Sequence, residues 1–144
     1  MSPTSIRAGK ALSANRNNLS DLAVRIQFTH AAVPALLRIA QAWGLTDAHL
    51  AELLGGVSIS TVRRWKRTPP EDLGFDGLTR ASYLLGIYQA LHVILDKVNA
   101  DAWVRKPNDS ALFSGQSPFD VMARGGILAM DRVRLHLDAV RGGR

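Results

Sequence analysis

From His30 onward the apolar residues of this chain recur at three- and four-residue steps, and no stretch of them alternates with polar ones. Side chains three and four apart share one face of a helix, whereas a half-buried strand needs strict alternation, so the spacing restricts the chain to an all-α fold. Gly44, Gly55-Gly56, Pro69-Pro70, Pro107, Gly125-Gly126 and Gly142-Gly143 interrupt the pattern at intervals. Proline removes a backbone donor and crowds the preceding turn, and glycine takes up the left-handed conformation in which helices end, so the pattern divides into several short helices.

Val33, Leu36, Leu37, Ala40 and Trp43 predict a helix from His30 to Gly44. Thr46 with Asp47 marks the start of a second helix, whose buried stripe is Leu50, Leu53 and Leu54, and Ser58 marks a third that runs through Lys66. Thr68 to Gly77 reads as a linker. Beyond it, Leu78, Ala81, Leu84, Leu85, Tyr88, Leu91 and Leu95 keep helical spacing, while Ile87, Val93 and Ile94 add a second apolar flank. Such a helix is buried on more than one side. Asn99 to Arg105 supplies one or two turns. Ser117-Pro118 opens another helix with Asp120 at the capping-box position, and Ile127, Met130, Val133, Leu137 and Val140 form a last stripe. The expected organisation is a flexible basic arm over 1–28, a helix-turn-helix domain over 29–68, and a small helical domain over 76–144 packed with it.

The most specific pattern is LAELLGGVSISTVRRW, from Leu50 to Trp65. Ala51 lies four residues before the turn glycine Gly55, where two helices crossing steeply leave room only for a small side chain. Leu50, Leu54, Val57, Val62 and Trp65 supply the apolar contacts that hold the second helix on the first. The turn carries one extra residue, Gly56. With those residues inward, the second helix presents Ser58, Ser60, Thr61, Arg63, Arg64, Lys66 and Arg67 outward, a composition suited to reading DNA. Hydroxyls contact base edges or phosphates, and the arginine fork matches the two acceptors of guanine in the major groove.

The charge distribution points the same way. Residues 1–70 carry nine Lys/Arg and three acids, and residues 71–144 carry nine of each, so the whole excess of +6 lies in the first half. A polyanionic partner for that half is expected, and a different partner for the second. A helix-turn-helix reads two half-sites only when two copies are held together. The two-sided apolar helix therefore suggests a homodimer built on Leu84, Ile87, Leu91 and Ile94, with Gly86 permitting close backbone approach.

In the second half, RASYLLGIYQALHVIL, then ADAWVRKPN, then FSGQSPFDVMARGGI precede the last helix. This run, with Trp103, Pro107-Asn108, Phe113, Gly115, Ser117-Pro118 and Gly126 in order, resembles the MbcA/ParS/Xre antitoxin family over about residues 30 to 141. The resemblance implies an Xre-like helix-turn-helix that binds operator DNA and a C-terminal domain that binds a RES-domain toxin, an enzyme that attacks NAD or transfers ADP-ribose. It further implies that the toxin is met by the last helix and the tail: Arg132, Arg134, His136, Asp138, Arg141 and Arg144. For the motif residues themselves, capping, tight turns and packing already account for the pattern.

No cysteine is present, which excludes disulfides and thiolate chemistry. His30, His49, His92 and His136 share no metal-ligand spacing, and there is no nucleophile elbow or phosphate-cradling loop, so neither an enzyme, a metal site nor a cofactor is expected. No stretch has the length and apolarity of a signal or membrane segment, and the expected location is the cytoplasm. The alternatives are a stand-alone helix-turn-helix regulator with a dimerisation or effector domain, and a toxin-binding module that has lost DNA binding.

Overall fold

The computed structural model describes residues 18–142, and within them the chain is all-helical. Six helices follow in order: α1 (Leu22–Ala42), α2 (Asp47–Leu53), α3 (Ile59–Trp65), α4 (Gly74–Ile94), α5 (Lys97–Trp103) and α6 (Pro118–Gly142).

The local signals act as the spacing predicts. Thr46 accepts from the amide of His49 at the start of α2, Ser58 from that of Thr61 before α3, and Ser117 from that of Asp120 in the first turn of α6. Each hydroxyl satisfies an amide that the first helical turn leaves without a partner. At α2 the third helical residue is His49, whose Nδ1 reaches back to accept from the Thr46 amide at 3.1 Å, completing a reciprocal cap with an imidazole in place of the usual Glu or Gln.

α1 starts eight residues before the expected His30. Asp21 caps it through the Ala23 amide at 2.9 Å, and Arg25 in its first turn reaches Asp72 at 3.2 Å and the carbonyls of Leu19 and Ser20. Leu19 and Phe28 are buried and Val24 packs on the core, but Leu22 is exposed, so the apolar spacing here suggests at most a short helix and the polar ties of Asp21 and Arg25 extend it into α1. α4 likewise starts inside the expected linker, at Gly74, whose amide donates to Asp72 at 2.8 Å. Asp72 thus joins the start of α4 to the start of α1. Thr29, fully buried on α1, donates to the Arg25 carbonyl and accepts from the Leu73 amide, so its hydroxyl is satisfied on both counts.

α4 is the axis of the molecule, with α1 packed on one side and α6 on the other. This corrects the expected dimer surface. Leu84, Ile87 and Leu91 are 1%, 0% and 0% exposed, and Ile94 is half-buried against the same core. A helix apolar on two flanks can meet a second copy or two helices of its own chain, and here it meets its own. Gly86 does allow close approach, but what approaches is the guanidinium of Arg134 from α6, which occupies the space a Cβ would take.

The expected helix stop at Gly125-Gly126 is a kink within α6, at Gly126 alone (φ 66°, ψ −147°). Only glycine adopts this backbone without strain, and it redirects the second half of α6 along α4. Between α5 and α6, the loop closes through Gly115 donating to the Asn108 carbonyl at 2.8 Å and Asn108 donating to that of Gln116 at 3.0 Å, around the buried Phe113.

Candidate functional site

The helix-turn-helix is formed by α2, Gly55-Gly56 and α3. Ala51, Leu50, Leu54, Val62 and Trp65 are buried where the two helices cross, and Val57 is half-buried beside them. Gly55 and Gly56 both have positive φ, 89° and 87°, so the extra turn residue is absorbed by two successive left-handed glycines.

α3 and the turn that follows it expose Ser60, Arg63, Arg64, Lys66 and Arg67 to solvent on one surface. Ser58 and Thr61 are spent locally, their hydroxyls 2.7 Å apart while Ser58 also caps the helix. One residue of this surface lies outside the motif. Asp47, at the start of α2, sits 3.0 Å from the Lys66 Nζ and 3.5 Å from the Arg63 Nε. Between Leu53 and Pro70 the sequence holds only bases, but the fold brings this carboxylate across from the preceding helix. Arg64 and Arg67 have no ion-pair partner among the described residues, and so carry the unneutralised charge of α3.

The residues expected on the last helix divide differently. Arg134, Asp138 and Arg141 form an ion-pair ladder along α6, with distances of 3.2 and 3.5 Å to Asp138. His136 packs into an aromatic cluster, stacked 6.5 Å from Trp103 and edge-on 5.5 Å from Phe113. Arg132 is exposed and unpaired among the described residues. Arg144 lies outside the described residues.

Two arginines tie the halves together. Arg80 on α4 donates to the Leu53 carbonyl at 3.3 Å and pairs with Asp76 at 2.8 Å, and its guanidinium fills the space beside both Gly55 and Gly126. Arg105 after α5 donates to the Gly44 carbonyl at 3.3 Å and lies over the Phe119 ring at 5.2 Å, while His49 meets the same ring edge-on at 5.0 Å. Sequence spacing could not show the bonds to the Leu53 and Gly44 carbonyls, since those partners lie 27 and 61 residues away. Among the described residues no three His, Asp or Glu are placed to hold a metal ion, and no helix is long and apolar enough to cross a membrane.

Residues 24–86 match the antitoxin Xre-like helix-turn-helix domain, and residues 89–143 match the antitoxin Xre/MbcA/ParS C-terminal toxin-binding domain. The uncharacterized protein y4oB of Sinorhizobium fredii is 39% identical over 114 residues, which cover 78% of this chain and 86% of that protein. The chain belongs to the Xre/MbcA/ParS antitoxin family. In this antitoxin the two family units meet inside α4, between Gly86 and Gln89, so one rigid helix serves as the last element of the helix-turn-helix unit and the first of the toxin-binding unit. The family name also assigns the two surfaces: the basic face of α3 belongs to the first unit and α6 to the second.

Proposed function

We propose that this antitoxin silences a RES-domain toxin by direct binding through its C-terminal unit, and represses its own operon by binding operator DNA through α3. The observation that carries this is the pairing of a helix-turn-helix that leaves Arg64 and Arg67 exposed and unneutralised with a second, toxin-binding family unit joined to it through α4. Arginine forks reach guanine edges or phosphates, and the hydroxyl of Ser60 lies on the same surface. The chain works by binding rather than catalysis, as a homodimer on its operator, in the cytoplasm.

Asp47 supports a second reading, in which the helix-turn-helix retains its fold with weakened DNA affinity. Its carboxylate already occupies Arg63 and Lys66. Both cations remain largely exposed, and such surface pairs contribute at most about 1 kcal/mol, so phosphate can displace the carboxylate.

The test is co-expression with the product of the adjacent reading frame. A RES-domain product that arrests growth and depletes NAD when expressed alone, and does neither with this chain, supports the proposal. A neighbour unrelated to such toxins, together with operator binding, favours the stand-alone regulator.

A further inference from the structure

The buried side of α6 beyond its kink is Ala129, Met130, Val133 and Leu137, which face α4. The opposite side is not polar, as a solvated helix face would be. Leu128 and Leu135 are 62% and 59% exposed, and their spacing of seven positions, two turns or about 10 Å of helix, puts them on one line. Arg132 lies between them on that line and Arg124 precedes them, both exposed. The other cations of α6, Arg134 and Arg141, are held by Asp138, whereas Arg124 and Arg132 have no carboxylate partner among the described residues. Exposed leucines in register on a rigid helix, with unneutralised arginines beside them, are what an amphipathic helix presents to a groove.

We infer that the Leu128–Leu135 line of α6 is the surface on which the toxin docks, inserting both leucines into an apolar groove whose rim carries acidic residues opposite Arg124 and Arg132. This rests on the antitoxin function proposed above. The occupant is argued from two features: the line lies wholly within the toxin-binding unit, 89–143, and its outward unpaired charges are the cations Arg124 and Arg132, while the neighbouring carboxylate of Asp131 accepts from the Tyr83 hydroxyl of α4 at 3.0 Å, so the line calls for an acidic partner. It also moves the contact away from Arg134, His136 and Asp138, whose side chains are engaged within the fold. The leucines act as anchors, and the arginines set the rate and orientation of encounter.

The experiment measures affinity of the full-length antitoxin for the purified RES-domain product of the adjacent reading frame, with Leu128→Asp, Leu135→Asp, the milder Leu135→Ser, and Arg132→Glu. Loss of either leucine lowers affinity by about 30-fold or more, since a hot-spot anchor is worth at least about 2 kcal/mol. Arg132→Glu slows association and reduces its salt dependence. Thermal melting and operator affinity of all four variants match the wild type, because these side chains support no core. Unchanged toxin affinity in the leucine variants overturns the inference while the antitoxin function stands. Conversion of a free dimer to monomers by Leu128→Asp or Leu135→Asp, seen by light scattering with toxin affinity retained, assigns the line to a second copy and also overturns it. A wild-type chain that does not bind this product overturns both the inference and the function on which it rests.

Discussion

The Arg80 guanidinium, on the central helix, donates to the Leu53 carbonyl at 3.3 Å, so a residue of α4 closes the C-terminal end of the first helix of the helix-turn-helix. The same group lies against Gly126, where α6 kinks, so one mostly buried side chain touches both α2 and α6, beside the direct contact of His49 with Phe119. Arg80→Leu leaves the Leu53 carbonyl without this donor and is expected to cost about 1–3 kcal/mol by urea denaturation. Asp76→Ala, which removes only the exposed partner, costs at most about 1 kcal/mol.

Gly126→Ala forces a side chain into a backbone conformation that only glycine takes without strain. A loss of about 1–3 kcal/mol is expected, with helical content by circular dichroism nearly unchanged. Gly142→Ala, near the end of α6 with nothing close to its added methyl group, serves as the neutral control.

Ile87 is fully enclosed by the protomer's own helices. Ile87→Ala is expected to lower stability by about 2–5 kcal/mol and leave the oligomeric state of the remaining folded protein unchanged by light scattering. Ile87→Asp buries an uncompensated carboxylate and yields unfolded chain rather than folded monomers.

Much of this was legible in the sequence because the signals are local. A helix cap involves residues within three positions of each other, so Thr46, Ser58 and Ser117 could be placed from spacing alone, as could Ala51 and the apolar lock on α3. What could not be read depends on partners far along the chain. Asp47 meets Arg63 and Lys66, Arg25 meets Asp72, and Arg134 settles over Gly86, each across a distance that only tertiary packing decides. The two-sided α4 is the clearest case: apolar spacing reports that both flanks are covered, not by which chain. The exposed Leu128–Leu135 line went unread for a related reason, since a last helix rich in leucine and valine gives no sign of which apolar residues its neighbours leave uncovered.

Operator affinity should follow the division of charge on α3. Arg64→Ala and Arg67→Ala each weaken binding and reduce the slope of log K against log salt by about 1, as expected for a lost phosphate contact. Asp47→Asn strengthens binding at low salt, because it frees Arg63 and Lys66 from their carboxylate. Fluorescence anisotropy over 50–200 mM salt measures both. A flat salt response argues against DNA as the ligand.

Asp96 caps α5, and the Asn99 backbone amide, followed by its side-chain amide, holds the carboxyl below its ordinary value of 3.8. A lowered carboxyl pKa stabilises the fold above the ordinary value, and that contribution is lost as the pH falls through the lowered one. Asp96→Ala is therefore expected to melt earlier than the wild type at pH 7. The gap closes as the pH falls through the range below 3.8, which melting curves at successive pH values will show.

Silencing of a toxin by direct binding, through a surface separate from the one that meets DNA, is tested most directly by an activity titration. NAD consumption by the proposed RES-domain toxin, followed as the antitoxin is titrated in, measures this for the wild type and for a variant carrying both Arg64→Ala and Arg67→Ala. Stoichiometric loss of activity is expected, with the same titration curve for both proteins, although the variant binds operator DNA more weakly. Full NAD consumption at saturating wild-type antitoxin, or inhibition lost in the variant while it remains folded, would contradict it.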